Sequence, residues 1–274
     1  METHGSIISG TNAVLLSFLL LLGMLILLRI GNVLGHKLHK KTDDANDSIN
    51  ITFVAAVVGL FALLLGFTYN MGGTRLEMRR VNVVKEANAI GTAILRADFY
   101  PQPERDAFRA EFKEYTRARI NYFKAGSDLK AMHQADLDAQ ASAGRIWDRA
   151  SVNAINATSL FPANLMIPAL NDMIDSANAT NYGEKFRIPD LLIILLFTFS
   201  LVCAFFLGYY IKTRGLFDST ITVGFCLLSA LVIYTTLDLD RPRAGLIQQQ
   251  ICLQSLSDVL QQFDKPCQKT SNIE

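Results

Sequence analysis

Apolar residues gather into four long blocks along the chain, and elsewhere they recur at three- and four-residue spacing. The first block runs from about Ala13 to Ile30; counting back to Gly5, about 24 residues pass without a charge, enough for a helix to cross the hydrocarbon of a bilayer. The second, Ile49 to about Gly73, is free of charge for about 25 residues, and the third, Leu191 to Ile211, for about 21. The fourth, Ser219 to Leu237, is about 19 residues long and carries Thr220, Thr222, Ser229, Thr235 and Thr236, whose hydroxyls can bond back to their own helix and suit a span packed against protein. A cleaved leader competes for the first block, but METHGS holds no Lys or Arg and no small-x-small site follows, so the block is read as a span. The turn from Lys212 to Gly215 is short enough to force spans three and four into an antiparallel hairpin.

Between Thr74 and Arg187 lie about 110 residues, a domain's worth, with helical periodicity. Thr74 to Phe99 has no Pro and carries Val81, Val84, Ala87, Ile90, Ala93 and Ile94 as an apolar stripe that stops at Tyr100-Pro101. Span two is therefore expected to continue beyond the membrane as one helix. Glu104 to Phe123, entered at Pro103, sets Phe108, Phe112, Tyr115, Arg119 and Tyr122 at helical intervals and should stop near Gly126. Two more helices, about Leu129 to Leu160 and Asn164 to Ala179, lead back to the membrane at Pro189. Ala244 to about Phe263 reads as an amphipathic helix, and the last ten residues as a disordered tail. The expected architecture is an all-α polytopic membrane protein: spans one and two in 1–73, a helical domain in 74–188, spans three and four in 189–243, and an amphipathic helix with a tail in 244–274.

Composition narrows the function. Half of the residues are hydrophobic and 19% are charged, below the roughly 25% usual in soluble domains, which excludes a single soluble globule. Lys and Arg number 26 against 25 Asp and Glu, so no bulk field draws the chain onto nucleic acid. Cys203, Cys226, Cys252 and Cys267 form no CxxC pair, and His36, His39 and His133 stand apart from other ligand types; no metal or cofactor is expected. No GxSxG, P-loop, HExxH or dinucleotide fingerprint occurs, and the acids of the middle segment alternate with Lys and Arg as on solvated helices, so no enzyme is expected. Flanking cations set eight residues (Arg75, Arg79, Arg80, Lys85, Lys185, Arg187, Arg241, Arg243) against six (Arg29, Lys37, Lys40, Lys41, Lys212, Arg214), a thin margin; together with the resemblance described below, it gives the expectation that the termini and the helical domain are cytoplasmic, at the cell's inner membrane.

Candidate chemistry lies on span two. Gly59, Leu63, Phe67 and Met71 recur every four residues on one side, and in an oligomer Leu63 and Phe67 would form apolar rings able to gate ions by dewetting. The plain alternative is packing against a neighbouring span or lipid. Thr68, Tyr69 and Asn70 either line water or cap helix contacts. Arg75 and Arg80 read as a positive collar at the mouth, and Arg79 as ordinary flanking charge. Glu86 and Asn88, followed by Gly91 and Thr92, form a polar patch in which Glu86 is expected to pair with Arg80 or with an arginine of a neighbouring chain. Asp238, Asp240 and Arg241 follow span four; without a Gly-containing ligand loop they read as a helix stop with internal pairing rather than a calcium site.

Three stretches carry a resemblance. Leu65-Gly66-Phe67-Thr68-Tyr69-Asn70-Met71-Gly72-Gly73-Thr74-Arg75 is followed by Arg80 and then by Glu86-Ala87-Asn88-Ala89-Ile90-Gly91-Thr92-Ala93, and Leu237-Asp238-Leu239-Asp240-Arg241-Pro242-Arg243-Ala244-Gly245 follows span four. Together they resemble the bestrophin-like domain family over nearly the whole chain and, more distantly, the bestrophin anion channels. The resemblance implies a homo-oligomer, a pentamer, in a lipid bilayer, with span two lining a central pore for chloride-like inorganic anions and continuing into a cytoplasmic helical domain. It implies a constriction at Leu63 and Phe67, with Gly59 standing where those channels carry a bulky apolar residue, and a mouth shaped by Thr68, Asn70, Arg75 and Arg80. The rival is a non-conducting membrane scaffold or sensor whose helical domain binds a partner. A cation channel would want acids at the constriction, and span two has none.

Overall fold

Leu-rich runs without proline and amphipathic stretches between them fold as helices in the computed structural model of the chain, which describes residues 12–38, 44–156, 160–210, 216–241 and 250–263. Helix α1 is Ala13–Leu38 and α2 is Asp44–Arg96. The 53 residues of α2 form one uninterrupted helix, about 80 Å long, because nothing from its apolar block to Arg96 removes a backbone donor. A single 3₁₀ turn, Ala97–Phe99, closes it, and Tyr100 is extended ahead of Pro101, the conformation a following proline imposes. Helix α3 is Glu104–Lys124, α4 is Leu129–Asn156, α5 is Phe161–Lys185, α6 is Asp190–Tyr210, α7 is Leu216–Leu239 and α8 is Gln250–Gln262. Gly126 at φ +55° turns the chain after α3, a conformation that costs glycine little. Asp128 then caps α4, its Oδ1 accepting the N–H groups of Lys130 at 3.0 Å and Ala131 at 3.1 Å.

Helix α5 starts earlier and ends later than expected, running through Pro168. The expected turn at 212–215 and the tail from 264 onward lie outside the described residues.

The chain divides into two compact units, Met1–Leu76 with Arg187–Arg241 and Glu77–Phe186 with Pro242–Glu274. Among the described residues, four helical stretches are long and apolar enough to cross a membrane, and the core of the first unit gathers Met24, Leu28, Phe61, Leu196, Cys203, Cys226 and Ile233. Here α1 and α6 touch backbone to backbone. A Cβ at Gly208 would meet the Leu28 carbonyl, and one at Gly31 the Phe205 carbonyl. Helix α7 turns Thr222, Ser229 and Thr236 inward, and the Thr236 hydroxyl donates to Val232 O at 2.8 Å, as a polar span within protein requires.

The second unit is a helical domain. Val83, Ala87, Ile90 and Ile94 of α2 pack with Phe108, Phe112 and Tyr115 of α3, Ile146 of α4, Met166, Leu170 and Met173 of α5, and Leu256 and Val259 of α8.

Candidate ion pathway on the second helix

One long side of α2 is open. Leu63 and Phe67 are 55% and 64% exposed, whereas Phe61 and Thr68 on the other side are 1% and 2% exposed. Nothing lies within 4 Å of a Cβ built at Gly59. In the first unit Asn70 and Thr74 continue this exposed side; in the second, Glu77, Met78, Val81, Val84, Lys85, Asn88 and Leu95 of α2 are exposed. Within each unit the 3.6-residue turn holds these residues on one side of the helix.

Of the expected mouth residues, the structure leaves Asn70 on this stripe and removes Thr68 from it. Thr68 is buried and its hydroxyl donates to Leu64 O at 2.7 Å, since one step beyond Phe67 turns the side chain about 100° away. Arg75 is half-buried, with Nη2 3.8 Å from Met71 Sδ, and Arg80 is half-buried as well.

Arg79 is not plain flanking charge. It is buried, and its Nη2 donates to Phe186 O at 2.8 Å and its Nε to Gly183 O at 3.4 Å, at the C-terminal end of α5. Carbonyls left without partners at a helix end and the negative end of its macrodipole are what a guanidinium satisfies.

Glu86 sits in a buried ion pair, but with Arg119 of α3, not with Arg80. Arg80 lies six residues earlier, roughly a third of a turn around the helix from Glu86. Arg119 Nε donates to Glu86 Oε1, and Nη2 to Oε2 at 3.0 Å, a two-pronged pair with both residues sealed from solvent. The guanidinium also lies 3.6 Å from Asp136 Oδ1 of α4 and 4.6 Å above the Tyr122 ring. Asp136 accepts from Asn181 Nδ2 and from Gln140 Nε2, each at 2.9 Å, and the Tyr122 hydroxyl donates to Glu184 at 2.9 Å. Burial alone would lower the Arg119 pKa, but the Glu86 charge and hydrogen bonds outweigh it and hold it above the ordinary value. Burial, and next the Glu86 charge, push the neighbouring Tyr115 phenol up.

Asn88, two steps from Glu86, is exposed on the far side of α2. Asp238, Asp240 and Arg241 belong to the first unit, where Asp240 Oδ1 accepts the Ile188 N–H at 2.9 Å and Arg241 N donates to Asp238 O at 3.1 Å. Burial, then the charge of Arg187, lowers the Arg241 pKa, with Asp238 and Asp240 acting against them. Arg119 stood in the predicted apolar stripe of its helix; a cation among Phe108, Phe112, Tyr115 and Tyr122 was the available signal of a buried partner. Asn82, Asp136 and Asn181 gave no such signal.

Four apolar spans and a helical domain sharing one continuous helix define a polytopic integral membrane protein. Residues 17–248 match the bestrophin-like domain, and the chain belongs to that family. Its fold is that of a bacterial bestrophin homologue from Klebsiella pneumoniae. Crystal structures of two single-substitution variants of that protein align over 93% of this chain and 100% of theirs, with TM-scores of 0.65 and 0.64 at 13% and 12% identity. No curated protein matches the sequence.

Proposed function

We propose that this protein assembles as a homo-oligomer, a pentamer, whose α2 helices surround a pore that passively conducts chloride-like anions, with the helical domain and both termini cytoplasmic. The observation that carries the reading is the open side of α2 in the membrane unit. Lipid would account for exposed Leu63 and Phe67 alone, but it does not account for Asn70 on the same side of the span. A helix that must face other copies of itself around water has that mixture. Leu63 and Phe67 would form the constriction and gate by dewetting; Gly59 would leave the level above them wide; Asn70, Arg75 and Arg80 would shape an electropositive mouth. Family membership supports the same arrangement.

The test is ion flux through purified protein in liposomes under a chloride gradient, repeated with a large impermeant anion, alongside the oligomeric mass. Chloride-selective flux from a higher-order oligomer is expected. A monomer or dimer that passes no ions would favour a membrane scaffold whose helical domain binds a partner.

A further inference from the structure

We infer that Arg79 is a positioning residue for the α2 pore face: together with Asn82 and Glu86 it fixes the rotation of α2, beyond Leu76, about its own axis. The inference rests on the conducting role proposed for α2. Arg79, Asn82 and Glu86 follow one another at three- and four-residue steps and so share a side of the helix. Each is held by a directed bond. Arg79 reaches Phe186 O and Gly183 O, Asn82 Nδ2 donates to Ala179 O at 3.3 Å, and Glu86 accepts both donors of Arg119. Glu77, Met78, Val81, Val84 and Lys85 face away from these bonds and are exposed.

The apolar contacts of Val83, Ala87 and Ile90 do not select one rotation sharply, because burial of hydrocarbon has no direction. Hydrogen bonds to carbonyls fixed at the end of α5 do, since they weaken steeply with angle. Arginine suits the task because its planar fork serves two acceptors at once, where lysine offers a point charge. The approach is close: a Cβ on Gly183 would stand 3.0 Å from Asn82 Nδ2.

The experiment uses the full-length protein with its own cysteines replaced and a single cysteine at Val83, which is buried, or at Val84, which is exposed. The rate of reaction with a charged methanethiosulfonate reagent and the chloride flux are read for each background. With Arg79 present, Val84→Cys should react much faster than Val83→Cys. Arg79→Met should narrow that ratio, and change the flux, by about fivefold or more at unchanged oligomeric mass, with Arg79→Lys in between. Should Arg79→Met fail to assemble, Arg79→Lys alone carries the test. Either variant with the wild-type labelling ratio, or with altered labelling and unaltered flux in a conducting protein, overturns the positioning role. A non-conducting wild type whose labelling contrast Arg79→Met erases would sink the conduction reading and leave the rotational anchor standing.

Discussion

Removing one partner of the Glu86–Arg119 pair strands the other charge where no water reaches it. Glu86→Ala and Arg119→Ala should each lower stability by about 3–5 kcal/mol, measured as thermal or denaturant unfolding in detergent. Glu86→Leu combined with Arg119→Met should cost much less than the sum of the single changes, because neither fully buried charge remains and Asp136 is partly open to solvent. A double-variant loss equal to the sum of the single losses would mean that the pair contributes nothing as a pair. Tyr115 beside it gives a pH signature. Its folded pKa lies above the unfolded value of 10.0, so the stability from the buried neutral phenol is intact below pH 10 and is lost as pH rises through the folded pKa. Melting temperature should therefore drop above pH 10, and drop less in Tyr115→Phe. The sequence disclosed that Glu86 would be buried and paired, since a lone acid on an apolar helix has few other fates. It hid the partner, because Arg119 lies 33 residues away on another helix and only tertiary packing brings them together. Arg79 misled for the same reason: its carbonyl acceptors are main-chain atoms and leave no mark in the residue pattern.

At the scale of elements, the glycines separate two kinds of helix surface. Gly208→Ala and Gly31→Ala push a methyl into a facing backbone carbonyl and should each cost about 1–3 kcal/mol in unfolding experiments. Gly59→Ala meets open space and should change stability by no more than about 0.5 kcal/mol. If α2 lines the pore, Gly59→Leu should reduce chloride flux while leaving the protomer folded; unchanged flux would take that level of the helix out of the pathway. The continuity of α2 was readable, since no proline interrupts the stripe from Val81 to Ile94. The ends of α5 were not. Residues 180–185 are polar and include Gly183, which alone suggests a loop, and bonds from Asn82 and Arg79 on another helix hold them near its end.

For the whole molecule, the four spans and the all-helical class followed from charge-free length, a signal that needs no partner to interpret. The proposed pore had only a side of span two to show for itself in the sequence, because a pore on an axis would belong to several copies at once. Leu63→Ala and Phe67→Ala should raise chloride flux through liposomes if these side chains form the constriction, without changing the oligomeric mass. Unaltered currents in a conducting wild type would remove both from that role.

The glycine-mediated contact of α1 with α6 has a consequence for biosynthesis. The two helices are about 180 residues apart in the chain, so α1 enters the bilayer long before its partner has been made. Until α6 follows, Gly31 and Gly35 present bare main chain to lipid, a surface with no apolar side chain to fill it. The membrane unit must then gain its tightest interface late, when synthesis has passed α3, α4 and α5. Nascent chains that stop before Asp190 would hold α1 without its partner, open to capture by other helices and by quality control, and the full chain would lose that vulnerability in one late step.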